Sequence, residues 1–438
     1  MLILAPILLA APAPLVSDDL AWPQFRGPLG NGHAPGASHP LSWDAETNVA
    51  WSIELPGSGW SSPVVVGDRV MVTAAVRGDG GGPKGWQDGV KDPATFGGSK
   101  APSEEVSFRV MALSLSDGST LWDKEVLTTV PRYGVHPSNT YATETPASNG
   151  RHVFANFASA GVLVAFDLEG EEAWRSTYEV RKIGNDFGTG SSVVVHDDRV
   201  FIKFDNDEES FLRAHDAGTG EVVWSVSRPK GSSWSTPSLW KSGDRVDLVA
   251  CGPDHVVGHD PATGEIRWKI TGVGGSFSAS PAVGEGHLYT GNSGPMARGP
   301  LFAIAAGAEG EHDLRAEEAP VAWVTDRAGP GMPSPVEVDG KLFVIGSMGV
   351  LECVDSATGE RIWRDRLPDS ASVIASPWVA AGHLFVLDEI GQTFAVRIAD
   401  EFEVASVNTI EGLHWSSPSV AGDSLLIRSA ERLTCVRE

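Results

Sequence analysis

The sequence predicts an all-β protein, an eight-bladed β-propeller of four-stranded blades. Three observations indicate this fold: a turn ending in Trp recurs along the chain, a short small-residue marker, usually followed by Pro, recurs eight times, and the unit between markers contains four strand-like runs. A repeat of roughly 42 residues with four strands is typical of a propeller blade. Fifty Gly and 29 Pro beside a hydrophobic fraction of 41% also suit short strands joined by tight turns.

The Trp turn is clearest at residues 214–224, which read Ala-His-Asp-Ala-Gly-Thr-Gly-Glu-Val-Val-Trp, and residues 258–268 and 353–363 repeat it closely. Weaker copies end at other Trp residues. Because one large ring per unit can fill the gap between neighbouring sheets, we predict that these side chains dock adjacent blades. The predicted docking residues are Trp51, Trp122, Trp174, Trp224, Trp268, Trp323 and Trp363.

The markers are small-residue pairs, seven of them followed by Pro, each leading into an apolar run. They end at Pro63, Pro146, Ser192, Pro237, Pro281, Pro335, Pro377 and Pro418. The last unit has three strand-like runs, whereas residues 49–53 form a run with no unit before it. We therefore predict that this N-terminal strand joins the last blade and closes the ring, which removes the exposed sheet edges of an open array.

The N-terminal residues 1–16 are apolar and end in Ala-Pro-Ala, as in a secretory signal peptide, which predicts a periplasmic or extracellular location. Residues 17–42 follow as an extension, and residues 43–438 form the single propeller. A Gly- and Pro-rich insertion at 76–106 falls in a hairpin loop of the first complete blade. It is interpreted either as a lid or as a floppy insertion. No later segment is long and apolar enough to span a membrane.

The charge balance excludes some partners. The chain has 33 basic and 57 acidic residues, a net charge of −24, which disfavours nucleic acid and anionic lipid. The three cysteines, Cys251, Cys353 and Cys435, are far apart and predict buried thiols rather than a disulfide framework. We expect a monomer.

The turn pattern Ala-x-Asp-x-x-Thr-Gly-x-x-x-Trp resembles the docking motif of PQQ-like (quinoprotein-type) propellers. The phrase Trp-Pro-Gln-Phe-Arg-Gly-Pro at 22–28 is similar to the start of secreted planctomycete PQQ-like repeat proteins. The resemblance, which extends to outer-membrane assembly propellers, implies a non-enzymatic scaffold that binds envelope or secreted proteins. It leaves two alternatives: a PQQ-dependent dehydrogenase with Ca²⁺, and a propeller that binds a glycan or small molecule. The adjacent cysteine pair of the dehydrogenases is missing, so no cofactor and no enzymatic activity are expected.

The candidate binding residues lie mostly in the loops that precede the markers. Equivalent positions in successive blades should ring the axis on one face, where aromatic and carboxamide groups could line a pocket. Asp205, also a candidate for the pocket, begins an acidic hairpin that is interpreted as a solvated turn or, alternatively, as a cation site. No catalytic residue and no metal site are assigned. The candidates are Trp60, His136, Asn139, Asn185, Asp186, Asp205, Trp234, His414 and Trp415.

Overall fold

Short strands, nearly all antiparallel and separated by Gly and Asp turns, form most of the described chain. The computed structural model describes residues 22–86, 98, 100–293, 298–346 and 348–438. The predicted signal peptide and the middle of the predicted insertion lie outside these residues. Within the described residues the strands form eight sheets, seven of four strands and one of five, and no helix is long and apolar enough to cross a membrane. The predicted eight-bladed, all-β propeller is confirmed.

Each blade runs outward from a short innermost strand. Blade 1 contains β2 (Val64–Val66), β3 (Arg69–Arg77), β4 (Val106–Ser114) and β5 (Thr120–Thr129). Blade 2 contains β6 (Ala147–Ser148), β7 (His152–Phe157), β8 (Val162–Asp167) and β9 (Glu172–Thr177). Blade 3 contains β10 (Val194–His196), β11 (Arg199–Phe204), β12 (Ser210–Asp216) and β13 (Val222–Arg228). Blade 4 contains β14 (Ser238–Ser242), β15 (Arg245–Gly252), β16 (His255–His259) and β17 (Ile266–Thr271).

The second half repeats the pattern. Blade 5 contains β18 (Ala282–Val283), β19 (His287–Ser293), β20 (Arg298–Ala305) and β22 (Val321–Thr325). Its β21 (Gly310–Asp313) pairs in parallel with β17 and gives blade 4 a fifth strand. Blade 6 contains β23 (Val336–Val338), β24 (Lys341–Ile345), β25 (Val350–Asp355) and β26 (Arg361–Arg366). Blade 7 contains β27 (Trp378–Ala380), β28 (His383–Leu387), β29 (Gln392–Arg397) and β30 (Val404–Thr409).

The ring closes where the chain begins and ends. Blade 8 combines β31 (Ser419–Ala421), β32 (Ser424–Arg428) and β33 (Arg432–Val436) with β1 (Val49–Glu54) from the N-terminal region. In the antiparallel register Trp51 lies opposite Cys435 and Ile53 opposite Leu433. The predicted closure by an N-terminal strand is therefore confirmed.

A ring of side-chain hydroxyls surrounds the axis. In seven of the eight markers the second residue donates its backbone N–H to the hydroxyl of the equivalent residue in the next blade, at 2.8 to 3.0 Å. Seven such bonds connect the blades in order. They link Ser62, Thr145, Ser192, Thr236, Ser280, Ser334, Ser376 and Ser417. The marker consequently needs Ser or Thr at this position, because the inner backbone is buried and its N–H must find an acceptor.

The docking Trp residues sit on the next blade's turn. Trp174, for example, donates its indole N–H to the Ala217 carbonyl at 3.0 Å, and a Cβ added to Gly220 would come within 2.4 Å of its ring. Gly220 also has a φ of 75°, so the turn needs glycine for two reasons. Trp51, Trp122, Trp224, Trp323 and Trp363 donate in the same way to the following blade.

Trp268 departs from this pattern. Its indole N–H donates to the Asp247 carboxylate of its own blade at 2.8 Å, and the side chain is fully buried. The cause lies in blade 5, whose outer turn is expanded to make β21 and offers no Thr-Gly turn to dock on. Trp268 instead packs with Trp240, Phe277 and Phe302 in a core shared by blades 4 and 5.

The N-terminal extension runs through the centre of the ring. Trp22 bridges to Val65 of blade 1, the Pro23 carbonyl accepts from Ser148 of blade 2, and Gln24 Oε1 accepts from Val195 of blade 3. A space of about 10 Å³, roughly that of one water, remains beside Gln24 and Phe25. The Trp-Pro-Gln segment therefore fills the channel along the inner strands of the first three blades.

Arg26 continues the same path on the other side of the channel. The side chain is buried, and its guanidinium donates to the carbonyls of Pro281 in blade 5 and Pro335 in blade 6 at 3.2 and 2.5 Å. Burial lowers the pKa of Arg26 to about 9, so the group remains charged at neutral pH. Further along, His33 and Ala34 bond to blades 6 and 7. The extension thus touches the inner strands of most blades in turn.

We predict that stability falls in two steps as the N-terminus is shortened. Removing residues 1–47 takes away the channel-filling segment, and removing 1–54 also strips β1 from blade 8, exposing a strand edge and the Trp51 site. Each step should lower the free energy of unfolding by several kcal/mol, measured by urea titration against a 1–21 deletion as control. Equal stability of the 1–47 and 1–54 deletions would contradict the role of β1.

Trp268→Ala should destabilise the protein more than Trp224→Ala. The Trp268 ring is wholly buried, so truncation should cost about 3–5 kcal/mol, whereas Trp224 is half-buried and should cost less. Urea unfolding of the two variants measures the difference. Trp224→Phe, which keeps most of the packing and loses the indole N–H, serves as the control. A larger loss for Trp224→Ala would show that the inter-blade bond outweighs burial.

Glu144 should make stability depend on pH. It occupies the first marker position of blade 2, and burial raises its pKa to about 7 from 4.5, although hydrogen bonding from Thr189 and from backbone N–H groups opposes the shift. The folded state therefore holds this proton more tightly than the unfolded state. Because Glu144 ionises more easily in the unfolded chain, the free energy of unfolding falls as pH rises from about 4.5 towards 7, by roughly 3 kcal/mol at most.

Urea unfolding of wild type and Glu144→Gln at pH 5.0 and 7.5 isolates this effect from other titrating groups. We expect similar stability of the two proteins at pH 5.0 and a more stable variant at pH 7.5. Parallel pH profiles for the two proteins would contradict the assignment.

Candidate functional site

The loops that join one blade to the next lie on one face together with the hairpins between second and third strands. We call this the loop face. The described ends of the insertion, between Arg77 and Val106, extend over it. Lys84 N–H donates to the Pro137 carbonyl in the loop between blades 1 and 2, and Trp86 N–H donates to the Glu389 carboxylate in blade 7. Gly98 N–H donates to the Asn185 carbonyl between blades 2 and 3. The insertion thus contacts loops from well-separated blades.

Aromatic candidates meet on this face near the ring closure. The Trp60 and Trp415 rings stack with centroids 5.9 Å apart. The Trp60 indole donates to the Ser138 carbonyl at 2.8 Å, and the Trp415 indole donates to Glu389 at 3.3 Å. Glu389 is buried and accepts hydrogen bonds from the Trp415 indole and from the Trp86 backbone N–H. It therefore connects the loop between blades 7 and 8 to the insertion.

A second group of candidates continues the arc. The His136 ring meets Phe187 edge to face at 5.2 Å, and Phe187 lies 6.0 Å from Trp234. The Trp234 indole donates to the Gly188 carbonyl at 2.7 Å. Trp60, His136 and Trp234 are therefore linked through neighbouring loops, from the junction of blades 8 and 1 to that of blades 3 and 4. Phe187 directly follows the candidate pair at 185 and 186 but is not itself one of the predicted binding residues.

Asn139 holds two loops together. Its amide donates to the carbonyls of Phe187 and Thr189, while its oxygen accepts from Thr140 N–H and Thr143 O–H. The side-chain hydrogen-bonding groups are thus engaged by protein, which gives Asn139 a positioning role.

Asn185 and Asp186 lie in a short 3-10 turn, Gly184–Asp186, both with left-handed φ angles of 56° and 54°. Asn185 is exposed and accepts through its backbone carbonyl from the insertion. Asp186 lies 3.9 Å from Lys182 in a partly exposed ion pair. These two residues mark the point where the insertion meets the blade 2–3 loop.

His414 and Asp205 do not reach the face. His414 is buried, with its two ring nitrogens next to the carbonyls of Arg428 and Ile410 at 3.1 and 2.9 Å. Burial lowers its pKa. His414 thereby holds the blade 7–8 loop against β32. Its neighbour Trp415, not His414, contacts the other aromatic candidates, through its stack with Trp60.

Asp205 lies inside a charge cluster rather than in a solvated turn. It pairs with Arg228 at 2.7 Å and Lys203 at 3.1 Å, and all three side chains are buried. Burial opposes ionisation of Asp205, but Arg228 and Lys203 outweigh it and hold the pKa of the carboxyl below its usual value. The exposed part of the acidic hairpin begins only at Asp207. This cluster was not predictable from the sequence, because Arg228 lies on β13, two strands away from Lys203 on β11.

A cavity of about 290 Å³ lies under the described start of the insertion. Arg77, Pro83 and Lys84 of β3 and the insertion line one side, and Val135 and His136 of the blade 1–2 loop line the other. Arg77 and Lys84 were absent from the sequence-based candidates. They could have been predicted from the position of the insertion. It lies in the hairpin between the second and third strands of blade 1, so its residues belong on the same face as the candidate loops.

Exposed apolar side chains mark another part of the loop face. Met332, Met348 and Ile390 are 42%, 54% and 44% exposed and lie in loops of blades 6 and 7. Backbone hydrogen bonds connect these loops: Gly331 donates to Ile345, Leu367 to Gly349, and Glu389 to Ser372. We call Met332, Met348 and Ile390 the apolar patch.

The potential metal ligands His, Cys, Asp and Glu are scattered over the described residues. No three His, Cys, Asp or Glu side chains there are grouped so that they could hold a metal ion. Cys251, Cys353 and Cys435 are buried, unpaired and placed in blades 4, 6 and 8. A ring inserted between Trp60 and Trp415 would need about 7 Å, twice a contact distance of about 3.5 Å, and their centroids are 5.9 Å apart. We derive no chemistry through PQQ.

The chain resembles known propellers in sequence and in structure. A family model described as outer membrane protein assembly factor BamB matches residues 315–434. Outer membrane protein assembly factor BamB of Marinobacter adhaerens is 28% identical over 97 residues, 22% of this chain and 24% of that relative's length. The sequence match therefore spans about a quarter of the relative.

Solved structures share the fold over nearly the whole chain. BamB from Moraxella catarrhalis superposes with a TM-score of 0.58 at 14% identity, covering 88% of this chain and 98% of that one. A europium-containing methanol dehydrogenase superposes with a TM-score of 0.61 at 12% identity, covering 95% and 91%. At these identities the structural likeness establishes the fold. The chain is an eight-bladed β-propeller whose C-terminal blades are similar in sequence to outer membrane protein assembly factor BamB.

Proposed function

We propose that this protein is a non-enzymatic scaffold of the cell envelope that binds another protein through the apolar patch. Met332, Met348 and Ile390 supply the observation that carries the proposal, since three large apolar side chains on adjoining loops remain exposed. Clustered apolar exposure is typical of interaction surfaces. Methionine side chains are flexible and polarisable, so they adapt to a partner's contour.

The sequence likeness to BamB supports the same part of the molecule. The matched residues 315–434 include all three side chains of the patch. The relative's printed description, an outer membrane protein assembly factor, associates such blades with envelope proteins. A partner that presents an apolar segment to blades 6 and 7 would bury the patch without disturbing the inner strands.

A triple substitution tests the proposal. Met332→Asp, Met348→Asp and Ile390→Asp together should weaken partner binding at least tenfold, because charges replace the apolar contacts. All three side chains are exposed, so the melting temperature should stay within a few degrees. The partner is first identified by a photo-cross-linking residue at position 348 in the native cells, then purified, and its Kd is measured by biolayer interferometry.

The matched control is Val222→Asp with Val223→Asp, which places charges on equally exposed apolar positions of the outer strand β13. A cross-linker at Val407, exposed on β30, serves as the positional control. Equal loss of affinity in the β13 variant, or equal cross-linking from 407, would refute the patch as the binding surface. Retention of the protein on an immobilised polysaccharide, abolished by the patch variant, would instead favour a glycan-binding propeller.

A further inference from the structure

The cavity beneath the insertion is lined by basic and neutral side chains. Among the described residues, its ionisable lining side chains are Arg77, Lys84, His136 and Tyr141, with no Asp or Glu. The chain as a whole carries 57 acidic against 33 basic residues, so the charge of the cavity lining is opposite in sign to the net charge of the protein. A cavity with this lining favours an anion over a cation or a neutral ligand.

Hydrogen bonding determines which ring nitrogen of His136 carries the proton. Its Nδ1 accepts from Ser138 N–H at 3.3 Å and lies 2.6 Å from the Ser138 hydroxyl. In a neutral imidazole one nitrogen accepts and the other carries the proton, so Nε2 is the donor here. Burial lowers the pKa of His136, which keeps this neutral form at pH 7. Nε2–H has no acceptor among the described residues.

Two cationic groups also retain donor capacity. Arg77 forms a paired contact with Asp79 through Nε at 2.9 Å and Nη2 at 2.6 Å, which leaves Nη1. Asp79 in turn accepts from Gly81 N–H at 2.9 Å and so fixes the start of the insertion above the cavity. The Lys84 ammonium has no acceptor among the described residues, while its backbone N–H anchors the segment to Pro137. The cavity wall is therefore held in place by bonds that leave these donors unused.

The remaining lining suits a carbon skeleton. Ala75, Pro83, Val135 and Pro137 provide apolar contacts. A volume of about 290 Å³ exceeds that of an isolated inorganic anion and lies at the small end of ligand pockets. The Tyr141 hydroxyl donates to the Tyr133 carbonyl, and burial raises its pKa to about 12, so it adds no negative charge.

We propose that this cavity binds a small organic acid of about monosaccharide size, with its carboxylate held by Lys84, His136 Nε2–H and Arg77 Nη1. Charge-assisted bonds from ammonium and guanidinium groups to a carboxylate are stronger than neutral ones. The site is separate from the apolar patch, since it lies between blades 1 and 2 instead of on blades 6 and 7. Its occupation does not depend on the proposed scaffold function.

Isothermal titration calorimetry with D-galacturonate tests the proposal, with D-galactose as the neutral ligand of matched size. We expect a Kd at or below about 1 mM for the acid, the order expected for about a dozen non-hydrogen atoms. We expect at least tenfold weaker binding of galactose. Inorganic phosphate and acetate, titrated separately, should also bind at least tenfold more weakly, because neither fills the apolar part of the cavity.

Two variants assign the donors. Lys84→Met keeps the side-chain length without the charge, and His136→Asn keeps an acceptor for Ser138 while removing Nε2–H. Each should weaken galacturonate binding at least fivefold, whereas Lys241→Met, an exposed lysine on β14, should bind as wild type. Melting curves confirm folding of each variant. No detectable binding by the wild type, equal binding of galactose, or unchanged affinity in both variants would each overturn the proposal.

Discussion

The hydrogen bonds from the backbone N–H of seven of the eight markers to the next blade's Ser or Thr hydroxyl are the constraint on which this propeller depends. The inner strands are only two to five residues long. The marker N–H groups that precede them are buried and find their acceptors on the neighbouring blade. Each blade therefore requires the next one, and the requirement closes around the axis with β1 paired to β33. Farther from the axis, the docking Trp residues also connect each blade to the next, through their indole N–H groups.

The centre of the propeller is filled by the N-terminal extension of the same chain. The segment from Trp22 to Ala34 passes the inner strands of the blades in turn, and Arg26 bonds to carbonyls on two of them. The Trp-Pro-Gln-Phe-Arg-Gly phrase, whose meaning the sequence leaves open, is the part of the chain that fills the channel. A channel filled by its own chain directs attention to the loop face for binding.

The loop face carries two surfaces of opposite chemistry. The apolar patch on blades 6 and 7 exposes Met332, Met348 and Ile390 to solvent, whereas the cavity between blades 1 and 2 gathers Lys84 and His136 beneath the insertion. Trp86 bonds to Glu389, which is adjacent to Ile390, so the insertion physically links the two regions. A partner at the patch and a small acid in the cavity would therefore be bound by neighbouring loops.

The sequence by itself determined the number of blades, their strand content and the closure, because each depends on a pattern repeated along the chain. It also indicated that loops before the markers share a face, and there Trp60, His136, Trp234 and Trp415 lie in one connected arc. Only the tertiary structure decided what each candidate does. Asp205 is neutralised by Lys203 and Arg228, His414 is buried against backbone carbonyls, and Trp268 turns into its own blade. These outcomes depend on contacts between strands and loops distant in sequence, which a repeat pattern does not record, because it fixes backbone positions and leaves the facing side chains free to differ.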